Sequence, residues 1–108
     1  MKKSEVRSKL IGNDKYKYTV EFTNIFKRDV VNAAKRNLDL KLLGNAIKIL
    51  AAEGKLPSEY KPHKLEGNFS GYWECHVKSD WLMIWQQTDS TLTLMLTNTG
   101  THAYIFGM

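Results

Sequence analysis

At 108 residues, 43% of them hydrophobic and 25% charged, the chain has the length and balance of one globular domain, which excludes collagen-like and disordered classes. Its one cysteine, Cys75, forms no internal disulfide, which excludes the disulfide-stapled secreted folds and points to a reducing compartment, the cytoplasm. Apolar runs are a few residues long against the ~20 of a bilayer span, and no apolar segment follows Lys2 and Lys3, so neither a membrane nor a signal peptide is expected.

The net charge of +5 is uneven. Residues 1–41 carry eleven Lys or Arg against five acidic residues, a balance of +6, whereas residues 42–108 carry five against six. A basic half of this kind suits a polyanion or an acidic protein, although a solvated helix face has the same signature. Arginine stops early: Arg7, Arg28 and Arg36 are the only ones.

Residues 1–14, polar and basic with Gly12-Asn13-Asp14, read as a loose arm, and residues 15–108 as the folded domain. Tyr16, Tyr18, Val20 and Phe22 alternate with polar residues, the period of a half-buried strand. Thr23 is placed to cap a helix with Phe26, Val30, Ala33 and Ala34 on one face, ending near Asn37. Asp39 caps a second helix through Leu40, Leu43, Ile47 and Leu50, and Gly54 stops it. Gly44 inside that helix costs about 1 kcal/mol relative to alanine, so a packing reason is expected there.

Residues 55–71 hold both prolines, Gly67 and Gly71, and read as a long ordered loop of the functional kind. Three short strands follow, Tyr72–Val77, Trp81–Trp85 and Leu92–Thr97, joined by Ser79-Asp80 and Thr88-Asp89-Ser90 as an antiparallel meander. The order strand, two helices, three strands argues for an α+β domain with its helices on one face of the sheet.

All three histidines, His63, His76 and His102, lie in the C-terminal half. Histidine titrates near neutrality, so such a set supplies both a general base and a general acid, the pair that RNA phosphodiester cleavage needs. An isolated histidine is more often a surface or hydrogen-bonded residue, so spacing alone leaves that reading open. Cys75, His76 and Asp80 are close enough in sequence to suggest a metal, but adjacent strand residues point to opposite faces, so Cys75 and His76 cannot share one ion. Trp73 and Trp85 read as core; Trp81, beside Asp80 at a turn, is the better candidate for a stacking residue. No glycine-rich phosphate loop and no nucleophile elbow is present.

Several short blocks, in order and in register, carry a resemblance. Leu56-Pro57 through Tyr60, His63-Lys64-Leu65, Gly67-Asn68, Gly71-Tyr72, Glu74-Cys75-His76-Val77, Asp80-Trp81-Leu82 and Thr99-Gly100-Thr101-His102 with Phe106 resemble the YafQ-type toxins of the RelE/ParE superfamily, over about residues 16–107. The resemblance implies a RelE-like α+β fold, two N-terminal helices on a mostly antiparallel sheet. It also implies the toxin of a type II toxin–antitoxin system that cleaves mRNA on the ribosome without metal or other cofactor. The partners would be the ribosome, mRNA and an acidic antitoxin of the DinJ/RelB type. His63, His76, Asp80 and His102 stand at the family's catalytic positions and Phe106 where a base is stacked or positioned. Which histidine is base and which acid stays open.

One position departs from the pattern. Many relatives read Arg-Thr-Gly-Ser/Thr-His, and here the arginine position is Asn98, which brings no charge. The cation would then come from Lys61, Lys64, a protonated histidine or the basic first helix. A neutral residue at that position also fits a catalytically attenuated relative that binds antitoxin or ribosome without cutting. A relative of the ParE kind with another target would lack this histidine set. Period two after Leu92, Leu94 and Leu96 aims Asn98 at the core, so it is expected to leave the ladder through a bulge or turn, its amide near His76 or His102.

Overall fold

The computed structural model describes residues 1–107. After a 3-10 turn, Lys3–Glu5, come helix α1 (Val6–Leu10), strand β1 (Thr19–Phe22) and helices α2 (Asn24–Lys35) and α3 (Leu40–Glu53). Strands β2 (His63–Lys64), β3 (Trp73–Lys78), β4 (Trp81–Thr88) and β5 (Thr93–Gly100) follow, and helix α4 (His102–Phe106) closes the chain. The sheet order is β1-β5-β4-β3-β2; β1 runs parallel to β5 and every other pairing is antiparallel. The fold is thus the expected RelE-like α+β arrangement.

Both main helices begin as their caps dictate. Thr23 Oγ1 accepts the N–H of Phe26 at 3.0 Å, and Asp39 Oδ1 accepts that of Lys41 at 3.0 Å. Gly54 ends α3 in the left-handed region, φ 72°. One face of the sheet, with Cys75, Met83, Trp85, Leu94 and Leu96, packs against Phe26 and Val30 of α2 and Leu43, Ile47 and Leu50 of α3. Leu82 and Ile84 alternate to the other face and are nevertheless fully buried.

The loose arm expected at residues 1–14 is corrected. Val6, Leu10 and Ile11 are buried in the main core, because the four-residue spacing of Val6 and Leu10 puts both on the inner face of α1 while Arg7 and Lys9 stay exposed. The helix explains Gly44: a Cβ there would lie 2.5 Å from the Leu10 carbonyl oxygen. Arg7 donates to the Val20 carbonyl at 2.5 Å and lies over the Phe22 ring, tying this segment to β1. The first strand is shorter than its alternation suggests, since Tyr16 and Tyr18 precede the ladder. Residues 55–71 are ordered, as expected, and contribute the edge strand β2.

The Asn98 expectation is half right. Trp85 pairs with Leu96 and Ile84 with Asn98, so Thr97 is an extra residue in β5. The bulge inverts the alternation, moving Thr99 to the helix side and Asn98 to the opposite face. Asn98 stays in the ladder, however, and among the described residues no hydrogen bond joins its amide to His76 or His102.

Candidate active site

The turn between β3 and β4 and the entry to α4 build the site. His76, near the end of β3, directs its Nδ1 to the Ser79 carbonyl at 2.9 Å; Ser79 itself takes φ 47°, which closes the turn. Asp80 follows and faces the start of α4, where its Oδ1 accepts the His102 ring Nδ1–H at 2.5 Å and the His102 backbone N–H at 3.2 Å. Thr101 caps that helix by accepting the Tyr104 N–H at 3.1 Å. The rings of His76 and His102 lie 6.0 Å apart, and those of His102 and Phe106 6.0 Å apart. Phe69, from the loop before β3, meets Phe106 edge-on at 4.9 Å. His76, Asp80, His102 and Phe106 therefore converge.

The contacts set each ring's chemistry. Nδ1 of His76 faces a carbonyl, which only accepts, so Nδ1 holds a proton and Nε2 carries the lone pair in the neutral ring. His102 gives its Nδ1–H to the Asp80 carboxylate, which fixes the ring and orients Nε2 away from Asp80. The Asp80 carboxyl is held below the usual carboxylate range, first by the His102 ring hydrogen bond, then by the His102 backbone N–H, with smaller help from the charges of His102 and His76.

His63 lies on the same sheet face but one row away, opposite Glu74 rather than His76. Diagonal neighbours of that kind are roughly 7–8 Å apart in Cα. Its Nε2 is 2.9 Å from Glu74 Oε2 and its Nδ1 2.9 Å from the Lys61 carbonyl. Both contacts are hydrogen bonds to acceptors only when both ring nitrogens carry protons, with the Glu74 carboxylate, 5% exposed, as counter-charge. The register His63–Glu74–Ile84–Asn98 puts Asn98 in this row. Lys61, exposed at φ 50°, precedes it.

Two expected substrate contacts are corrected. Trp81 is 7% exposed on the helix side, its indole N–H bonded to Thr99 Oγ1 at 2.9 Å, so its ring is not presented for stacking. Lys64 alternates away from His63 and sits over the Trp73 ring, 5.5 Å from its centroid. There it neighbours Asp89, whose carboxyl is held low first by hydrogen bonds from Tyr18 and Gln87 and then by Lys17 and Lys64. Cys75, in the core, has its thiol pushed up to about 12 by burial. Among the described residues no three His, Cys, Asp or Glu side chains are grouped to hold a metal ion. Sequence reasoning missed Glu74 and Phe69. Glu74 had a signal, since it precedes His76 by two residues on one strand and so shares its face.

Residues 18–107 match the family described as bacterial toxin of type II toxin-antitoxin system, YafQ. The mRNA interferase toxin YafQ of Escherichia coli K12 is 37% identical over 89 residues, 82% of this chain and 95% of that protein. A putative toxin YafQ from Haemophilus influenzae is 35% identical over 71 residues, covering 62% of this chain and 69% of its own. The crystal structure of the Escherichia coli DinJ-YafQ toxin-antitoxin complex contains a chain that superposes with a TM-score of 0.76 at 36% identity, covering 84% of this chain and 99% of that one.

Proposed function

The chain belongs to the YafQ family of bacterial type II toxin–antitoxin toxins, and from that premise we propose that it is an endoribonuclease that cuts mRNA on the ribosome and is neutralised by an acidic antitoxin. The observation that carries the reading is the triplet His76–Asp80–His102, in which Nδ1 of each histidine is anchored and Nε2 is left for proton transfer.

In the reaction, His76 Nε2 takes the proton from the ribose 2′-hydroxyl, and the 2′-oxygen attacks phosphorus. The P–O5′ bond breaks as His102, an imidazolium held by Asp80, gives its proton to the leaving 5′-oxygen. The products are a 2′,3′-cyclic phosphate and a 5′-hydroxyl. His63, its ring bridging the Lys61 carbonyl and the Glu74 carboxylate, is the side chain that takes the place of the missing arginine beside the phosphorane when its ring carries the second proton, and Lys61 adds its own charge. Such a charge is worth several kcal/mol of transition-state stabilisation, of the order of ~3 kcal/mol for one donor. Phe106, backed by Phe69, gives a face for a base to stack on. The basic surplus of residues 1–41 suits both ribosomal RNA and an acidic antitoxin.

The test is cleavage of mRNA bound to ribosomes, mapped by primer extension, with the parent chain and the His102→Gln and His76→Gln variants. Cleavage by the parent that falls at least a hundred-fold in each variant supports the reading. A parent that binds ribosomes but leaves mRNA intact would instead support the attenuated binding protein that the neutral Asn98 allows.

A further inference from the structure

Helix α4 carries His102 and Phe106, yet none of its five residues is buried. Its placement therefore rests on a few contacts. Asp80 holds its first residue and Phe69 meets its last ring. Between these lies Tyr104, on the turn facing α2. The Tyr104 ring lies against Gly100, where a Cβ would come within 2.7 Å of Cδ2. The Tyr104 hydroxyl donates to Asp29 Oδ1 at 2.7 Å and accepts from the Arg28 guanidinium at 3.2 Å.

Asp29 is a buried carboxylate, its side chain 0% exposed. Its second oxygen accepts the Thr99 backbone N–H at 3.1 Å, and Arg28 lies 3.4 Å from the first. The Thr99 hydroxyl is fixed in turn, donating to the Leu82 carbonyl at 2.6 Å and accepting the Trp81 indole N–H at 2.9 Å. One carboxylate on α2 thus grips both sides of the segment where the chain leaves β5 and enters α4. Beneath the grip is a cleft of about 360 Å³, lined by Asp29, Trp81 and Tyr104 among others.

We propose that Asp29 and Tyr104 are positioning residues for His102: a polar latch from α2 that sets the pose of α4 and, through it, the His102–Asp80 contact. The inference deepens the nuclease reading, because a displacement near 1 Å at a proton donor can cost as much as about a hundred-fold in rate. It stands on different atoms, however, and part of its test needs no catalysis.

Tyr104→Phe keeps the ring on Gly100 and removes only the hydroxyl. In the free protein, ring resonances of all three histidines are titrated by NMR. The latch predicts that the His102 midpoint alone moves to lower pH, by a few tenths of a unit or more, as the Asp80 contact loosens. His63 and His76, held by other groups, should keep their midpoints. On ribosomes, kcat should fall about five-fold or more with KM unchanged. Asp29→Asn should reproduce both effects, more strongly. Unmoved histidine midpoints with parental kcat would overturn the proposal. So would equal shifts of all three histidines with a lowered thermal midpoint, since that marks a general loss of stability. A selective His102 shift in a protein without nuclease activity would keep the latch and reject the nuclease reading. Parental cleavage with no His102 shift in Tyr104→Phe would do the reverse.

Discussion

A single oxygen of Asp80 holds His102 twice, at the ring Nδ1 (2.5 Å) and at the backbone N–H (3.2 Å). The carboxylate thus sets the tautomer of the histidine and the start of the helix that carries it. This double contact makes Asp80 sensitive to the most conservative of changes.

Asp80→Asn keeps the shape and removes the charge. Because the folded carboxyl is held below the usual range, Asp80 is ionised across the neutral region, and what the pair adds to stability is present above the ordinary aspartate value, ~3.9. It is lost as pH falls through the folded value. The amide should lower cleavage at least ten-fold and move the alkaline limb of the rate profile to lower pH, since His102 loses its counter-charge. An alkaline limb that stays in place would show that His102 is not the acid.

The missing arginine gives a double-mutant test. His63→Gln should lower cleavage about ten-fold or more by removing the phosphate's cation, the scale of ~1.4 kcal/mol. Asn98→Arg alone should gain less than that, because the charge is already supplied. In the His63→Gln background the same arginine should restore about ten-fold. Asn98 shares a row with Glu74 two strands away, ~10 Å at the usual strand spacing, within reach of an arginine side chain. Strictly additive effects would place the cation elsewhere, with Lys61 the next candidate.

Gly44→Ala tests the N-terminal segment. Alanine favours a helix by about 1 kcal/mol over glycine, but its Cβ would sit 2.5 Å from the Leu10 carbonyl oxygen. Overpacking of this kind costs typically ~1–3 kcal/mol, so urea unfolding should show net destabilisation. A gain in stability would mean that α1 is not docked on α3.

Association with an acidic antitoxin should be salt-dependent. The surplus of +6 in residues 1–41 predicts a dissociation constant that rises steadily as ionic strength passes the physiological range, where the screening length is ~8 Å. Titration calorimetry across a salt series checks this; a flat series would assign the interface to apolar contacts.

Much of the architecture was legible because its signals are local. The Thr23 and Asp39 caps, Gly54, and the short strands set off by the Ser79-Asp80 and Thr88-Asp89-Ser90 turns each follow from a few adjacent residues. The helical N-terminal segment was not, because its two inward residues, Val6 and Leu10, are outnumbered by lysines that never leave solvent. Of the site, His76, Asp80 and His102 were visible as residue types within short blocks. The faces of Lys64 and Trp81 depend on strand parity, which for Lys64 is set by β2, a two-residue strand inside a proline- and glycine-rich segment with no strand signal of its own. The Thr97 bulge reverses parity once more and turns Asn98 from core to site face. Such a one-residue insertion leaves no mark in composition. The pairs His63–Glu74 and Tyr104–Asp29 join residues far apart or on separate strands, and only the folded register brings them together.

The central claim, that His76 is the base and His102 the acid, is tested most directly with an mRNA whose scissile 5′-oxygen is replaced by sulfur. A thiolate leaves without protonation, so it needs no general acid. Single-turnover cleavage on ribosomes should then be restored to near the parent rate in His102→Gln while His76→Gln stays impaired. Restoration in His76→Gln with His102→Gln still impaired, or restoration in neither, would contradict the assignment.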